Sequence, residues 1–135
     1  MVCLDTCFLI DFLREQRSGK QGVASNKLND LRDHGETPKT TTINLAELYF
    51  GAYYTRSNRV LNQIGTIVHQ LEILTLTVDT AKRSASIAAN LKLAGEAIGF
   101  PDVLIASIVL EAGERLVTRN VKHFSRIPGV ILETY

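Results

Sequence analysis

Residues 2–13 have the sequence V-C-L-D-T-C-F-L-I-D-F-L, and this stretch sets the start of the fold. Residues 2–4 are apolar without interruption, which is the pattern of a short strand buried on both of its faces. Asp5 and Thr6 follow directly, and residues 7–13 then continue as an apolar helix. A buried strand that passes at once into a helix is typical of a parallel sheet covered by helices.

The alternation of strands and helices continues to the end of the chain. After a polar break over residues 15–22, β-branched or alternating apolar segments predict further strands at 39–43, 71–78, 116–118 and 130–132. Helices are predicted over residues 24–33, from Asn44, from Asn58, over 80–94 behind an Asp79 cap, and over 101–112 from Pro101. We therefore expect one domain over residues 1–135, a three-layer α/β/α fold with a mostly parallel sheet of four to five short strands.

The composition excludes several classes of protein. The chain has 135 residues, of which 45% are hydrophobic and 21% charged, so it is long enough and apolar enough to form a core. Fifteen Lys and Arg against fourteen Asp and Glu exclude a strongly basic binder of nucleic acids or membrane surfaces. The most apolar run, residues 103–110, is far shorter than the ~20 residues of a membrane span. Cys3 and Cys7 are too few for a disulfide framework, so we expect packing cysteines in a cytoplasmic protein.

Three acidic residues lie where parallel sheets collect their ligands, beyond the carboxyl ends of the strands. Asp5 follows the first predicted strand, Glu47 lies in the first turn of the helix after the second strand, and Asp102 lies in the first turn of another helix. Each also has a structural interpretation. Asp5 can cap a helix, Glu47 can complete a capping box with Asn44, and a carboxylate such as Asp102 stabilises a helix N-terminus.

Carboxylates gathered at one edge of a sheet need a counter-charge. Two of them repel by about 4 kcal/mol at about 4 Å when the effective dielectric constant is about 20. Raised pKa values or a bound cation relieve this repulsion. Oxygen ligands with no His or Cys nearby favour Mg²⁺, with Mn²⁺ as a substitute, over Zn²⁺.

Four segments in order along the chain carry a family resemblance. They are L-D-T-C-F-L-I-D at 4–11, T-T-I-N-L-A-E-L-Y-F-G-A at 41–52, F-P-D-V-L-I-A-S-I-V-L-E-A-G at 100–113 and L-V-T-R-N-V-K-H-F-S-R-I-P-G at 116–129. Together they resemble the PIN-domain ribonucleases, and in particular the toxins of the virulence-associated protein C (VapC) type. The resemblance covers nearly the whole chain and implies a PIN-like α/β/α domain with an acidic, Mg²⁺-dependent site that cuts RNA.

The resemblance also assigns roles to single residues. The three catalytic and metal-binding acids that it implies are Asp5, Glu47 and Asp102. Thr6 and Thr118 match hydroxyl positions that line the pocket. Asn120 departs from the pattern, because many relatives have a fourth acid there. An amide brings no charge, so we expect one metal ion in the free protein and a second, if any, only with the substrate.

A protein that binds RNA also needs cationic side chains that contact the phosphates of the RNA backbone. Arg119 and Lys122 flank Asn120 and are the better candidates for contacts with RNA phosphates. A second basic stretch, which includes Arg14 and Arg17, is interrupted by acids, and we expect it to face solvent or a protein partner.

Two protein partners are expected. The family resemblance implies one of them, and the aromatic residues of one helix indicate the other. VapC toxins imply a cognate antitoxin that blocks the acidic site. The helix from Asn44 carries four aromatic residues on two sides, which is more than one core-facing stripe needs and favours a homodimer interface. These residues are Tyr49, Phe50, Tyr53 and Tyr54.

Other function classes fit the sequence less well. Asp5-Thr6-Cys7 after a strand is similar to haloacid-dehalogenase phosphatases, but those need a second acid at position 7. The chain has neither a P-loop nor a G-x-G-x-x-G motif. The main alternative to a nuclease is a non-catalytic PIN-like module that binds RNA or protein, and cleavage of RNA with Mg²⁺ that stops with EDTA distinguishes the two.

Overall fold

The computed structural model describes residues Met1–Tyr135, which form five short strands and seven helices. The strands are β1 (Val2–Leu4), β2 (Pro38–Thr41), β3 (Glu72–Leu74), β4 (Arg115–Val117) and β5 (Ile131–Glu133). The helices are α1 (Thr6–Ser18), α2 (Val23–Asp33), α3 (Thr42–Tyr54), α4 (Asn58–Val68), α5 (Val78–Leu93), α6 (Phe100–Ala112) and α7 (Val121–Phe124).

The five strands form one sheet in the order β3-β2-β1-β4-β5, and every pair is parallel. Alternate residues of β1 pack on opposite faces of this sheet. Val2 and Leu4 belong to a core cluster with α1, α2, α3 and α4, whereas Cys3 belongs to a second cluster with α5, α6 and α7. The predicted three-layer α/β/α fold is therefore confirmed, and Cys3 is a packing residue as expected.

The first helix is longer than the sequence indicated. The predicted polar break over 15–22 was wrong in its first half, because α1 continues to Ser18 and ends where Gly19 adopts a left-handed conformation at φ 71°. Glu15 remains in the helix and accepts hydrogen bonds from the backbone N–H groups of Ala24 and Ser25 at 3.0 and 2.7 Å. Its carboxylate thus supplies the cap that Gly22, the N-cap residue of α2, cannot provide.

Three predicted N-cap residues were wrong by one to three positions for a common reason. A threonine or serine hydroxyl upstream caps each helix in place of the predicted Asn or Asp. The N-caps are Thr41 for α3, Ser57 for α4 and Thr77 for α5. The strands before these helices end correspondingly early, at Thr41 and Leu74, and β4 and β5 are each shifted by one residue from the predicted position. Pro101 lies one residue inside α6, which begins at Phe100.

The amino edge of the sheet is crowded with paired charges. Lys39, which is buried in β2, lies 2.7 Å from Glu114 and 3.6 Å from Glu72. Arg115 in β4 lies 2.7 Å from Glu36 and 2.8 Å from Glu133. Arg115 therefore belongs to a structural ion network. It differs in this from Arg119 and Lys122, which follow the carboxyl end of β4.

None of the seven helices combines the length and the apolar character that a membrane crossing requires.

Candidate active site

Asp5 is the central hydrogen-bond acceptor at the carboxyl edge of the sheet. It follows β1 directly and is only 5% exposed. Its Oδ1 accepts a hydrogen bond from Asn44 Nδ2 at 3.1 Å, and its Oδ2 accepts one from Thr118 Oγ1 at 2.7 Å. Asp5 occupies the N-cap position of α1, yet its side chain makes no capping hydrogen bond. A plain capping role therefore does not account for this carboxylate.

Asn44 is the residue that sequence reasoning misjudged most. It was predicted to start α3 as a cap, but it is fully buried in the first turn, and its amide has all four hydrogen bonds satisfied. Nδ2 donates to Asp5 and to Thr6 Oγ1 at 2.9 Å, while Oδ1 accepts from Thr41 N–H at 3.2 Å and Thr41 Oγ1 at 2.6 Å. The amide thus couples the end of β2 to the acid at the end of β1.

Glu47 faces the site and takes no part in the capping box predicted for it. Thr41 and Asn44 form that box between themselves. Glu47 Oε1 instead accepts a hydrogen bond from Thr6 Oγ1 at 2.7 Å. Burial raises the pKa of Glu47, the Thr6 hydrogen bond opposes the rise, and the charges of Asp5 and Asp102 add to it.

Asp102 lies in the first turn of α6, as predicted, and faces two side chains from the region of α7. Its Oδ2 is 3.3 Å from His123 Nδ1 and 3.4 Å from Asn120 Nδ2. Burial raises the pKa of Asp102, the His123 hydrogen bond opposes the rise, and the charge of Asp5 adds to it. His123 was not predicted here, although its spacing of three residues from Asn120 on a short helix would have indicated a shared face.

The hydroxyl and amide side chains expected near the acids, those of Thr6, Thr118 and Asn120, contact them in the structure. Thr118 follows β4 and is fully buried. Its Oγ1 donates to Asp5 and accepts from Asn120 N–H at 2.9 Å. Thr6 lies between Asn44 and Glu47. Cys7, expected only to pack, has its Sγ 3.4 Å from Asp5 Oδ2 and is therefore part of the same cluster.

The three carboxylates are close enough to influence one another, but they are not drawn together as a formed coordination sphere. No group of three or more His, Cys, Asp and Glu side chains lies at metal-ligand distances. One oxygen of Glu47 and one of Asp102 accept no hydrogen bond from the protein. Such a donor set fits Mg²⁺ or Mn²⁺, which bind through one or two carboxylates and several waters. The expectation that no His or Cys lies nearby was wrong, since His123 and Cys7 both border the acids.

The two predicted phosphate contacts have different surroundings. The exposed side chain of Arg119 lies 3.1 Å from Asp11 and 5.9 Å from the ring centroid of Tyr135. Lys122 is exposed on α7 and has no acidic partner. Arg126, farther along, donates to the backbone oxygens of Glu96 and Ala97 before α6. Lys122 is therefore an unpaired cation on α7, whereas Arg119 is paired with Asp11.

The fold and this arrangement of acids agree with the comparison to known proteins. The family model of the PIN domain matches residues 2–130. The chain belongs to the PIN domain family, which confirms the resemblance stated from the four sequence segments.

Within that family the chain is similar to VapC ribonucleases. It is 30% identical over 107 residues to ribonuclease VapC2 of Rickettsia felis, an alignment that covers 78% of this chain and 80% of the relative. It is 31% identical over 96 residues to the tRNA(fMet)-specific endonuclease VapC of Salmonella typhimurium, which covers 70% of this chain and 73% of the relative. It superimposes on the crystal structure of VapBC2 from Rickettsia felis bound to a promoter DNA fragment with a TM-score of 0.87 at 27% identity, covering 100% of this chain and 99% of that chain.

The hydrogen bonds of Asn44 generate a prediction about stability. Asn44→Ala should lower the free energy of unfolding by about 1–3 kcal/mol, because it leaves the buried Thr41 N–H without its acceptor and Asp5 without one donor. Asn62→Ala is the matched control, since Asn62 is exposed on α4, and it should change stability by less than about 0.5 kcal/mol. Urea denaturation measures both. Equal effects of the two substitutions would contradict the account.

Proposed function

We propose that this protein is a metal-dependent endoribonuclease that acts in the cytoplasm as the toxin of a type II toxin–antitoxin pair. Residues 1–135 form its single PIN-like domain. The observation that carries the proposal is the meeting of Asp5, Glu47 and Asp102, which come from three separate elements, at the carboxyl edge of one parallel sheet. The similarity to VapC ribonucleases supports RNA as the substrate.

Each acid has a role in the proposed hydrolysis of the phosphodiester bond. Asp5, Glu47 and Asp102 would hold Mg²⁺, with Mn²⁺ as a substitute, and such an ion supplies a more acidic water and neutralises charge on the reacting phosphate. Burial raises the pKa values of Glu47 and Asp102 in the metal-free chain, and a bound cation would relieve the repulsion between the acids. Either Glu47 or Asp102 would orient the attacking water or take its proton.

Neighbouring residues support the acids in this proposal. Thr6 and Thr118 hold Glu47 and Asp5 in place through short hydrogen bonds. Asn120 holds Asp102 without adding a charge, which limits the RNA-free site to one divalent ion. Lys122, exposed and unpaired, would contact an RNA phosphate, and Arg119 would contact another.

An antitoxin that blocks the site has a surface available to it. A groove of about 480 Å³ between α1, α3 and the start of α6 is lined mainly by apolar side chains, including Ile10, Ile43 and Phe50, and it reaches Glu47 and Thr6. A segment of the antitoxin lying in this groove would bury apolar surface and cover the acids. The VapBC structures from Rickettsia felis and Salmonella typhimurium are complexes of this kind of pair and support such a partner.

A homodimer would use the exposed aromatic residues of α3. Tyr49 packs against the core, contrary to its grouping with the others, but Phe50, Tyr53 and Tyr54 are 70%, 65% and 80% exposed. The rings of Phe50 and Tyr54 are stacked with centroids 5.9 Å apart. Aromatic side chains this exposed lose little conformational entropy on association and are enriched at protein interfaces.

The catalytic proposal predicts a selective loss of cleavage. Asp5→Asn and Asp102→Asn should each lower metal-dependent RNA cleavage by roughly 10²-fold or more, because each removes a charged ligand or proton acceptor. EDTA should stop the wild type. Asp102→Asn should keep or raise the thermal midpoint, since it relieves repulsion with Asp5. The measurement is cleavage of a labelled single-stranded RNA.

Asp79→Asn is the control for that experiment, because Asp79 is an exposed acid in the first turn of another helix, α5. It should retain full activity. Undiminished cleavage in Asp5→Asn or Asp102→Asn, with contaminating nucleases excluded, would contradict the assignment. Binding of RNA by the wild type without any cleavage would favour the non-catalytic module.

The dimer proposal predicts a measurable change of mass. The wild type should have twice its 14.9 kDa chain mass by light scattering at micromolar concentration. Replacing Phe50 and Tyr54 together by Ser should give a monomer with an unchanged thermal midpoint, since both rings are mostly exposed. Val78→Ser, at a 73% exposed position on α5, is the control and should remain dimeric. A monomeric wild type would refute the dimer.

A further inference from the structure

A second pocket lies beside the turn that carries Thr118 and Asn120. It has a volume of about 300 Å³ and is bounded by α1, the start of α2, the turn after β4 and the last residue of the chain. Its lining includes Asp11, Arg14, Val23, Arg119 and Tyr135. None of these residues belongs to the acidic site, and Arg14 was expected to face solvent or a protein partner.

Asp11 is the centre of a charged cluster in this pocket. Its carboxylate accepts a hydrogen bond from the Tyr135 hydroxyl at 2.6 Å and lies 3.1 Å from Arg119 and 3.6 Å from Arg14. Glu15 also borders the pocket, but its oxygens accept hydrogen bonds from the start of α2. Two guanidinium groups therefore share the one carboxylate that is free to pair with them, so neither guanidinium group has a carboxylate of its own.

Arg119 is held in position from two sides. Its guanidinium carbon lies 5.9 Å from the centroid of the Tyr135 ring, in addition to its ion pair with Asp11. The Tyr135 ring in turn packs edge-on against Phe8, a fully buried core residue, with centroids 4.8 Å apart. The cation is thus anchored to the core through an aromatic ring. A fixed side chain loses less conformational entropy when it binds a ligand.

Unused donors remain on both guanidinium groups. Each has five N–H donors, and the side chains of Arg14 and Arg119 are 67% and 58% exposed, so most of these donors are open to solvent. A guanidinium group matches the geometry of phosphate oxygens. The chemistry of the pocket therefore fits a phosphodiester anion.

The pocket adjoins the acidic site, because Arg119 is next in sequence to residues that contact the acids. Arg119 stands between Thr118 and Asn120, which contact Asp5 and Asp102, and its own N–H donates to Cys7 Sγ at 3.4 Å. An RNA strand with its scissile phosphate at the acids would therefore pass close to Arg119 on this side.

We propose that this pocket is a phosphate-binding subsite for the RNA strand next to the cleaved bond. Arg14 and Arg119 supply the charges, and Asp11 and Tyr135 are the residues that position them. The inference rests on the proposed ribonuclease function, and it adds a place where a flanking nucleotide is held.

The salt dependence of RNA binding tests this subsite. Asp102→Asn serves as the background so that the RNA is not cut, and fluorescence anisotropy follows a labelled single-stranded RNA over a series of KCl concentrations. Arg14→Ala and Arg119→Ala should each weaken binding several-fold and reduce the slope of log K against log salt by about 0.7, the value for one lost phosphate contact with a single strand. Arg83→Ala, an exposed arginine that pairs with Glu111 at 3.3 Å on α5 and α6, should change neither quantity.

Tyr135→Phe separates positioning from charge. It removes the hydrogen bond to Asp11 but leaves every cation, so binding should weaken while the salt slope stays unchanged. The subsite is overturned if Arg14→Ala and Arg119→Ala behave like Arg83→Ala while the wild type still cleaves RNA with Mg²⁺. That result would leave the proposed function standing. A background chain that binds no RNA, with a wild type that does not cut it, would overturn the subsite and the function together.

Discussion

The buried carboxylate of Asp5 is the constraint on which the rest of the site depends. It stands at the end of the central strand and accepts hydrogen bonds from Asn44 on one side and Thr118 on the other. Asn44 follows β2 and Thr118 follows β4, the two strands on either side of β1. The Asp5 side chain therefore links the segments that follow three adjacent strands at the carboxyl edge. A buried carboxylate is tolerated only where donors surround it, and the parallel sheet supplies them here.

The acids at the two edges of the sheet differ in whether cations pair with them. At the amino edge, the hydrogen bond and charge of Arg115 lower the pKa of Glu36, so this acid is neutralised within the fold. At the carboxyl edge no cation is paired closely with Glu47, and burial raises the pKa values of Glu47 and Asp102. The first arrangement stabilises the sheet, whereas the second leaves negative charge for a ligand from outside the chain.

The fold, and the placement of Asp5, Glu47 and Asp102 after the strand ends, could be predicted from the sequence because their signals are local. Uninterrupted apolar strands indicated a parallel sheet, and Asp5 and Asp102 lie within one turn of unmistakable element starts. The roles of Asn44 and Glu47 could not be separated from helix capping, since what distinguishes them is contact with Asp5 and Thr6 about forty positions away. His123 and Asp11 were missed for the same reason. Each acts through a partner on a distant segment.

We expect the three carboxylates, organised by Asp5, to bind one divalent cation, and the proposed function depends on this binding. Calorimetric titration of the RNA-free protein with Mn²⁺ tests it most directly. The account predicts a single bound ion in the wild type, loss of that binding in Asp5→Asn, and tighter binding in Asn120→Asp, where a fourth charged oxygen is added. Two equally tight sites in the wild type, or Mn²⁺ binding that is unchanged in Asp5→Asn, would contradict it.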